Sequence, residues 1–233
     1  MLTEMFPKIV HKMNTTKLDQ FEIENIGDVL PMFEETFKIK LKNEETEKLN
    51  NFNEFSELII SKINFEKDNL CTSQRAFYQF RRALESENII DKKQINPNTS
   101  LKSIFPKKNR RKNVKQIEKK LSYKIEILVP SQITINILFF AFAISFIGLF
   151  FEWKIAIFGI LISILGFYLT KFTNRLEKNT VRELIEKNTA QNYLKIRNNE
   201  NSFNKNEFKS VIIEWFSENA GIEKEKLEYG TFV

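Results

Sequence analysis

Two apolar runs separated by three residues constrain this chain more than any other feature. Residues 133–151, ITINILFFAFAISFIGLFF, and 155–170, IAIFGILISILGFYLT, carry no charged side chain, and only Glu152, Trp153 and Lys154 stand between them. At about 1.5 Å per residue the first run spans about 28 Å as a helix, close to the hydrocarbon thickness of a bilayer, and the second borrows its flanks to do the same. Buried helices of a soluble protein usually show a polar stripe, and the rest of this chain is too small to cover both runs on all sides. The expected fold is therefore all-α, with a two-helix transmembrane hairpin at residues 130–172 flanked by small cytoplasmic helical segments. A re-entrant or interfacial hairpin is the alternative.

Small residues give this hairpin a seam. Ala141, Ser145 and Gly148 recur at i, i+4 and i+7, and so do Gly159, Ser163 and Gly166. Folding about a turn at 152–154 sets Gly148 opposite Gly159, Ser145 opposite Ser163 and Ala141 opposite Gly166, so that the backbones approach where lipid offers no hydrophobic drive. Asn136 is the most polar residue of the first run; it either bonds across the seam, bonds a partner helix, or is solvated at the membrane edge.

Charge orients the hairpin. Lys107, Lys108, Arg110, Arg111, Lys112, Lys115, Lys119, Lys120 and Lys124 precede it, Lys171, Arg175, Lys178 and Arg182 follow it, and the turn carries one Lys beside a Glu. Both termini are then cytoplasmic, and the protein is an integral membrane protein with two spans. The bilayer is its first partner. Lys107, Lys108, Arg110, Arg111 and Lys112 are expected to face anionic lipid headgroups, each contributing about 1 kcal/mol near such a surface. The cluster lacks the interleaved aromatics that stack bases, so nucleic acid is not the expected partner of the +6 net charge.

Composition also excludes chemistry. Cys71 is the only cysteine and His11 the only histidine. An internal disulfide, a Cys/His zinc cluster and a triad with a second supporting His are all excluded, and a metal site would need carboxylates alone. The acidic pairs Glu34-Glu35 and Glu44-Glu45 belong to solvated helix faces, and no Gly-rich phosphate loop occurs. No catalytic residue, cofactor or metal ligand is expected, and the chain does not read as an enzyme. The N-terminal residues lack the apolar run and cleavage site of a signal peptide.

The flanking segments, 1–63, 64–129 and 173–233, read as amphipathic helices. Val29, Leu30, Phe33 and Phe37 share one face; Phe55, Leu58 and Ile59 another; Ala76, Phe77, Phe80, Ala83 and Leu84 a third, after the capping residues Thr72 and Ser73; and Val114, Ile117 and Leu121 a fourth. After the hairpin a helix is expected over Leu176–Ile196. A partner-helix face follows in Phe208, Val211, Ile212, Trp215 and Phe216, behind the capping pair Asn204 and Glu207.

The run 33–59, FEETFKIKLKNEETEKLNNFNEFSELI, resembles the second half of an acyl carrier protein. Residues 206–233, NEFKSVIIEWFSENAGIEKEKLEYGTFV, look like its first half, and a weaker echo begins AFYQFRRALESENII and continues into VKQIEKKLSYKIEI. The resemblance implies a phosphopantetheine serine, but the family spacing places that position on Ile23, and on Lys107 in the weaker echo. No serine occurs in residues 1–55, so no attachment site carries over. Either the halves are degenerate packing modules, or the C-terminal helix packs on the N-terminal ones as a permuted bundle, bringing Trp215 to Phe33 and Phe37. The expected function is a non-catalytic, membrane-anchored scaffold or interaction module for a cytoplasmic protein. The alternative is a small hairpin subunit or regulator of a membrane complex, such as a transporter accessory or a toxin-neutralising protein.

Overall fold

A computed structural model describes residues 17–63, 66–67, 71–197 and 202–232; His11 lies outside them. The described chain is all-α apart from two strands of two residues each. Its helices are α1 (Gln20–Phe37), α2 (Asn43–Thr46), α3 (Phe52–Lys62), α4 (Thr72–Ser86), α5 (Leu101–Ile104) and α6 (Arg110–Leu121). They continue with α7 (Gln132–Gly148), α8 (Trp153–Leu169), α9 (Val181–Gln191), α10 (Tyr193–Ile196), α11 (Lys205–Ala220) and α12 (Lys224–Tyr229). Strands β1 (Glu66–Lys67) and β2 (Ser202–Phe203) pair in parallel.

The chain divides into two compact units. One joins residues 1–71 to 197–233, and the other is the intervening stretch, 72–196.

In the first unit, local chemistry sets the start of α1: Asp19 accepts from the Glu22 amide while the Glu22 carboxylate accepts from the Asp19 amide, which satisfies two otherwise orphaned donors. Its end is set by Lys38, which adopts the left-handed conformation at φ 55°. Phe33 and Phe37 of α1, Phe52 and Phe55 of α3, and Phe208, Trp215 and Phe216 of α11 are all buried and form one aromatic core. Phe33 lies against Phe37, Trp215 and Phe216, with ring centroids 4.5, 4.9 and 5.0 Å away. The two ends of the described chain meet beside this core. The Leu18 amide donates to the Thr231 carbonyl at 3.0 Å and the Phe232 amide to Asn50 at 2.8 Å.

In the second unit, α4 packs on α6 and α9 around Phe80, Leu84, Phe105, Ile117 and Leu184, all with no more than trace exposure. The stripe Ala76, Phe80, Ala83 and Leu84 is buried as its spacing requires, with Phe77 at the edge. The helix expected over Leu176–Ile196 is shorter than that. Residues 173–180 are non-helical, because the Val129 amide donates to the Arg175 carbonyl, Glu177 donates to Ile127, Leu101 donates to Asn179, and Val181 donates to Thr99. Helix α9 begins only at Val181, where the Thr180 hydroxyl accepts from the Glu183 amide.

The antiparallel α7–α8 pair projects from this stitched segment. Helix α7 has 17 residues and ends at Gly148, not at Phe151. Leu149, Phe150, Phe151 and Glu152 make the turn, their amides bonding back to Phe146, Ile147, Gly148 and Gly148 respectively. Helix α8 and its 3₁₀ extension, Trp153–Phe172, make up 20 residues of mean hydropathy 2.0, the one helix among the described residues long and apolar enough to cross a membrane.

Candidate functional site

The sequence points to the seam of the α7–α8 pair and to the basic segment before it. In the seam, the early end of α7 moves every facing pair by about one helical turn. A Cβ on Gly148 would sit 3.5 Å from that of Ala156, a Cβ on Gly159 would overlap Ser145, and one on Gly166 would overlap Leu138. The expected Gly148–Gly159, Ser145–Ser163 and Ala141–Gly166 facings are thus replaced by Gly148–Ala156, Ser145–Gly159 and Leu138–Gly166. Ala141 is exposed, between Leu138 and Ser145 in the same helical row. Ser163 and Ala156 are buried in the seam, and the Ser163 and Ser145 hydroxyls donate to the Gly159 and Ala141 carbonyls one turn back. Asn136 is exposed and accepts from Gln132 at 3.3 Å on its own helix. Outward-facing Ile133, Phe140, Ile144, Phe158 and Leu161 are each more than half exposed.

The basic segment divides in two. Lys107, Lys108 and Lys112 are exposed, and Arg111 is half-buried with its guanidinium 5.0 Å from the centre of the Phe172 ring. Arg110 does not face outward. It is 5% exposed, its Nε donating to the Phe105 carbonyl at 2.7 Å and its Nη1 to the Asn174 carbonyl at 2.6 Å. It holds the start of α6 to the segment leaving the hairpin, and burial pulls its pKa below the usual arginine value. The Asn174 side-chain Nδ2 closes the same junction by donating to the Lys107 carbonyl at 2.8 Å.

This junction is the floor of an open cleft of about 1090 Å³ at the base of the hairpin. Its cationic lining is Lys102, Lys107, Arg110 and Arg175; its polar lining includes Ser131 and Thr134 from the first turn of α7; and Gly166, Leu169 and Phe172 carry it up the side of α8. Sequence reading assigned Arg175 only to overall orientation and missed Lys102, which lies far from the hairpin in sequence. Their one advance signal was the excess of positive charge on both sides of the apolar runs. The cleft's carboxylate, Glu177, is tied to Lys187 and Lys178.

The expected partner-helix face is occupied within the chain. Phe208, Val211, Ile212, Trp215 and Phe216 are each 5% exposed or less, packed among the aromatic residues of α1 and α3. Asn204 caps α11, accepting from the Asn206 amide at 3.0 Å, and Glu207 lies 3.9 Å from Arg197. Cys71 is exposed. Among the described residues no group of His, Cys, Asp or Glu is arranged to hold a metal ion. No protein-family model, curated protein or solved structure matches this chain.

Proposed function

We propose that this protein is a non-catalytic, membrane-anchored interaction module, with the α7–α8 hairpin in the bilayer and both helical units on the cytoplasmic side. The observation that carries the reading is the outward face of the hairpin, which leaves bulky apolar side chains exposed along its length; an apolar surface of that size is stable in lipid and costly in water. Helix α8 with its extension spans about 30 Å, enough to cross, while α7 alone spans about 25 Å. The apolar turn Leu149–Phe151 completes the crossing, and each of its amides is bonded back into α7, so the turn itself brings no unsatisfied backbone donor into hydrocarbon. Glu152 and Lys154 then reach the far headgroups, with Trp153 at the interface.

Helix α1 supports the interaction role. Its solvent face presents Glu24, Asp28 and Glu35 beside exposed Phe21 and Met32, an acidic and apolar surface suited to a basic patch on a cytoplasmic protein. The acyl-carrier resemblance adds the reading of the first unit as a carrier-like bundle without the prosthetic group, since its serine position is Ile23. The second reading, a hairpin subunit of a membrane complex, would make the hairpin the functional surface. Gly159→Leu and Ser163→Leu would abolish that function while leaving the helical units of an interaction module able to bind.

The test uses the single thiol. Membranes washed in alkaline carbonate should retain the protein, and an impermeant maleimide should reach Cys71 only from the cytoplasmic face. In a Cys71→Ser background, Glu152→Cys should label only from the opposite face. Release by carbonate overturns membrane integration; labelling of both positions from one face overturns the two-span arrangement.

A further inference from the structure

The cleft at the base of the hairpin contains four cations and no ion-pairing partner for any of them. Among the described residues, no carboxylate lies within ion-pair distance of Lys102, Lys107, Arg110 or Arg175; Glu177, which shares the cleft, is already committed to Lys187 and Lys178. A buried cation is stable when its donors are satisfied and its charge compensated. Arg110 is nine-tenths buried, and two carbonyls take its Nε and Nη1 hydrogens. Carbonyl dipoles satisfy those donors without neutralising the charge, and among the described residues no acceptor takes the remaining guanidinium hydrogens.

A second feature converges on the same space. Ser131 caps α7 in position only, making no side-chain capping hydrogen bond, so the first turn of a 17-residue helix opens at the cleft beside Ser131 and Thr134. Helix N-termini and unpaired arginine both favour the oxyanions of a phosphate. The third feature selects the source of that phosphate. The cleft is not closed on the hairpin side: Gly166, Leu169 and Phe172 extend it from the cationic floor onto the apolar flank of α8. A ligand that fills it has a phosphate at one end and hydrocarbon at the other.

We propose that the cleft is a discrete binding site for one anionic phospholipid, its headgroup phosphate held by Arg110, Lys102, Lys107 and Arg175 at the α7 N-terminus and its acyl chains lying along α8. This deepens the membrane-anchored reading and rests on it for the supply of lipid. It differs from diffuse attraction between a basic segment and a membrane in requiring Lys102 and Arg175, which lie outside that segment, and in sparing Lys108 and Lys112, which lie within it and do not line the cleft.

The full-length protein in neutral detergent is titrated with phosphatidylglycerol or phosphatidylcholine, and bound lipid is counted by native mass spectrometry. The wild type should retain one phosphatidylglycerol at least tenfold more tightly than phosphatidylcholine. Lys102→Glu/Arg175→Glu should lose at least tenfold, and Lys108→Glu/Lys112→Glu, an equal charge change at exposed positions, less than twofold. All four positions are exposed, and circular dichroism of each variant confirms the helical fold. Equal losses in both variants, or no preference between the lipids, overturn the site. Glycerol 3-phosphate binding as tightly as phosphatidylglycerol would assign the cleft to a soluble phosphate and overturn the lipid. Because the titration needs no bilayer insertion, a protein that carbonate releases but that still binds one phosphatidylglycerol would defeat the membrane reading alone. One that stays in the membrane but loses lipid equally in both variants would defeat the site alone.

Discussion

Trp215 meets Phe33 edge-on, at a centroid distance of 4.9 Å and an interplanar angle of 80°. The two rings come from distant parts of the chain, so this contact welds the stretch before the hairpin to the stretch after it. Both residues are within 2% of full burial. Truncating Trp215 to Ala should cost about 3–5 kcal/mol of first-unit stability through lost burial and the cavity left behind. A double-mutant cycle with Phe33→Leu should return a coupling of about 0.5–1.5 kcal/mol, since a T-shaped aromatic pair contributes beyond its area. Denaturant unfolding monitored by circular dichroism measures both, and a coupling near zero would remove the contact.

The hairpin register is open to a covalent test. Gly148 faces Ala156 at a Cβ separation of 3.5 Å, within the range a disulfide accepts. In a Cys71→Ser background, Gly148→Cys/Ala156→Cys should crosslink on mild oxidation, seen as a mobility shift on non-reducing gels. Gly148→Cys/Gly159→Cys, paired about one turn away, should crosslink several-fold more slowly. The reverse order would restore the later turn expected from the apolar runs.

Alkaline pH should reveal Tyr123. Burial in the second unit's core raises its phenol from 10.0 to about 12. An acid whose pKa is higher in the folded state keeps its full stabilising contribution below the unfolded value and loses it as pH rises through the folded one. Stability should therefore fall between about pH 10 and 12. Tyr123→Phe should flatten that decline and remove one tyrosinate from the absorbance that rises toward about pH 12.

The start of α9 makes the acid-side counterpart. The amide of Asn179, and then the Thr180 hydroxyl and amide, hold the Glu183 carboxylate below its ordinary value of 4.5. A depressed carboxylate stabilises the fold above its unfolded pKa, and the contribution drains away as pH falls below about 4.5. Glu183→Gln should shallow the loss of stability on acidification, measured as unfolding midpoints between neutral and acidic pH. Thr180→Ala should cost about 1 kcal/mol at neutral pH by removing the N-cap acceptor.

Much of the helical core is legible in the sequence, because a stripe such as Ala76, Phe80, Ala83 and Leu84 carries its burial in its spacing. The Phe208–Phe216 stripe is equally legible as a helix face, but what covers it is not. Periodicity says that a face is apolar; only packing says that α1 and α3 already occupy it. The non-helical segment 173–180 is hidden for a different reason. Its polar, helix-compatible residues follow from composition, yet its conformation follows from hydrogen bonds to residues 99–101 and 127–129, which are remote in sequence. The Thr180–Glu183 capping pair is the local sign that α9 starts late. The seam's small residues are readable, but their register depends on where α7 stops, and an apolar turn is indistinguishable by hydropathy from an apolar helix. Arg110 reads as one more surface cation; its burial follows from carbonyls contributed by Phe105 and Asn174.

The hydrogen bond from Leu18 to Thr231 has a consequence for synthesis. The first unit is a discontinuous module: its opening helices leave the ribosome long before α11, which completes their core. In the interval Phe33, Phe37, Phe52 and Phe55 lack the aromatic cover that Trp215 and Phe216 later provide, while the apolar hairpin between them is translated. Closure of this module is therefore a late event in synthesis, and the nascent chain carries an exposed aromatic surface that invites chaperone engagement until α11 and α12 emerge.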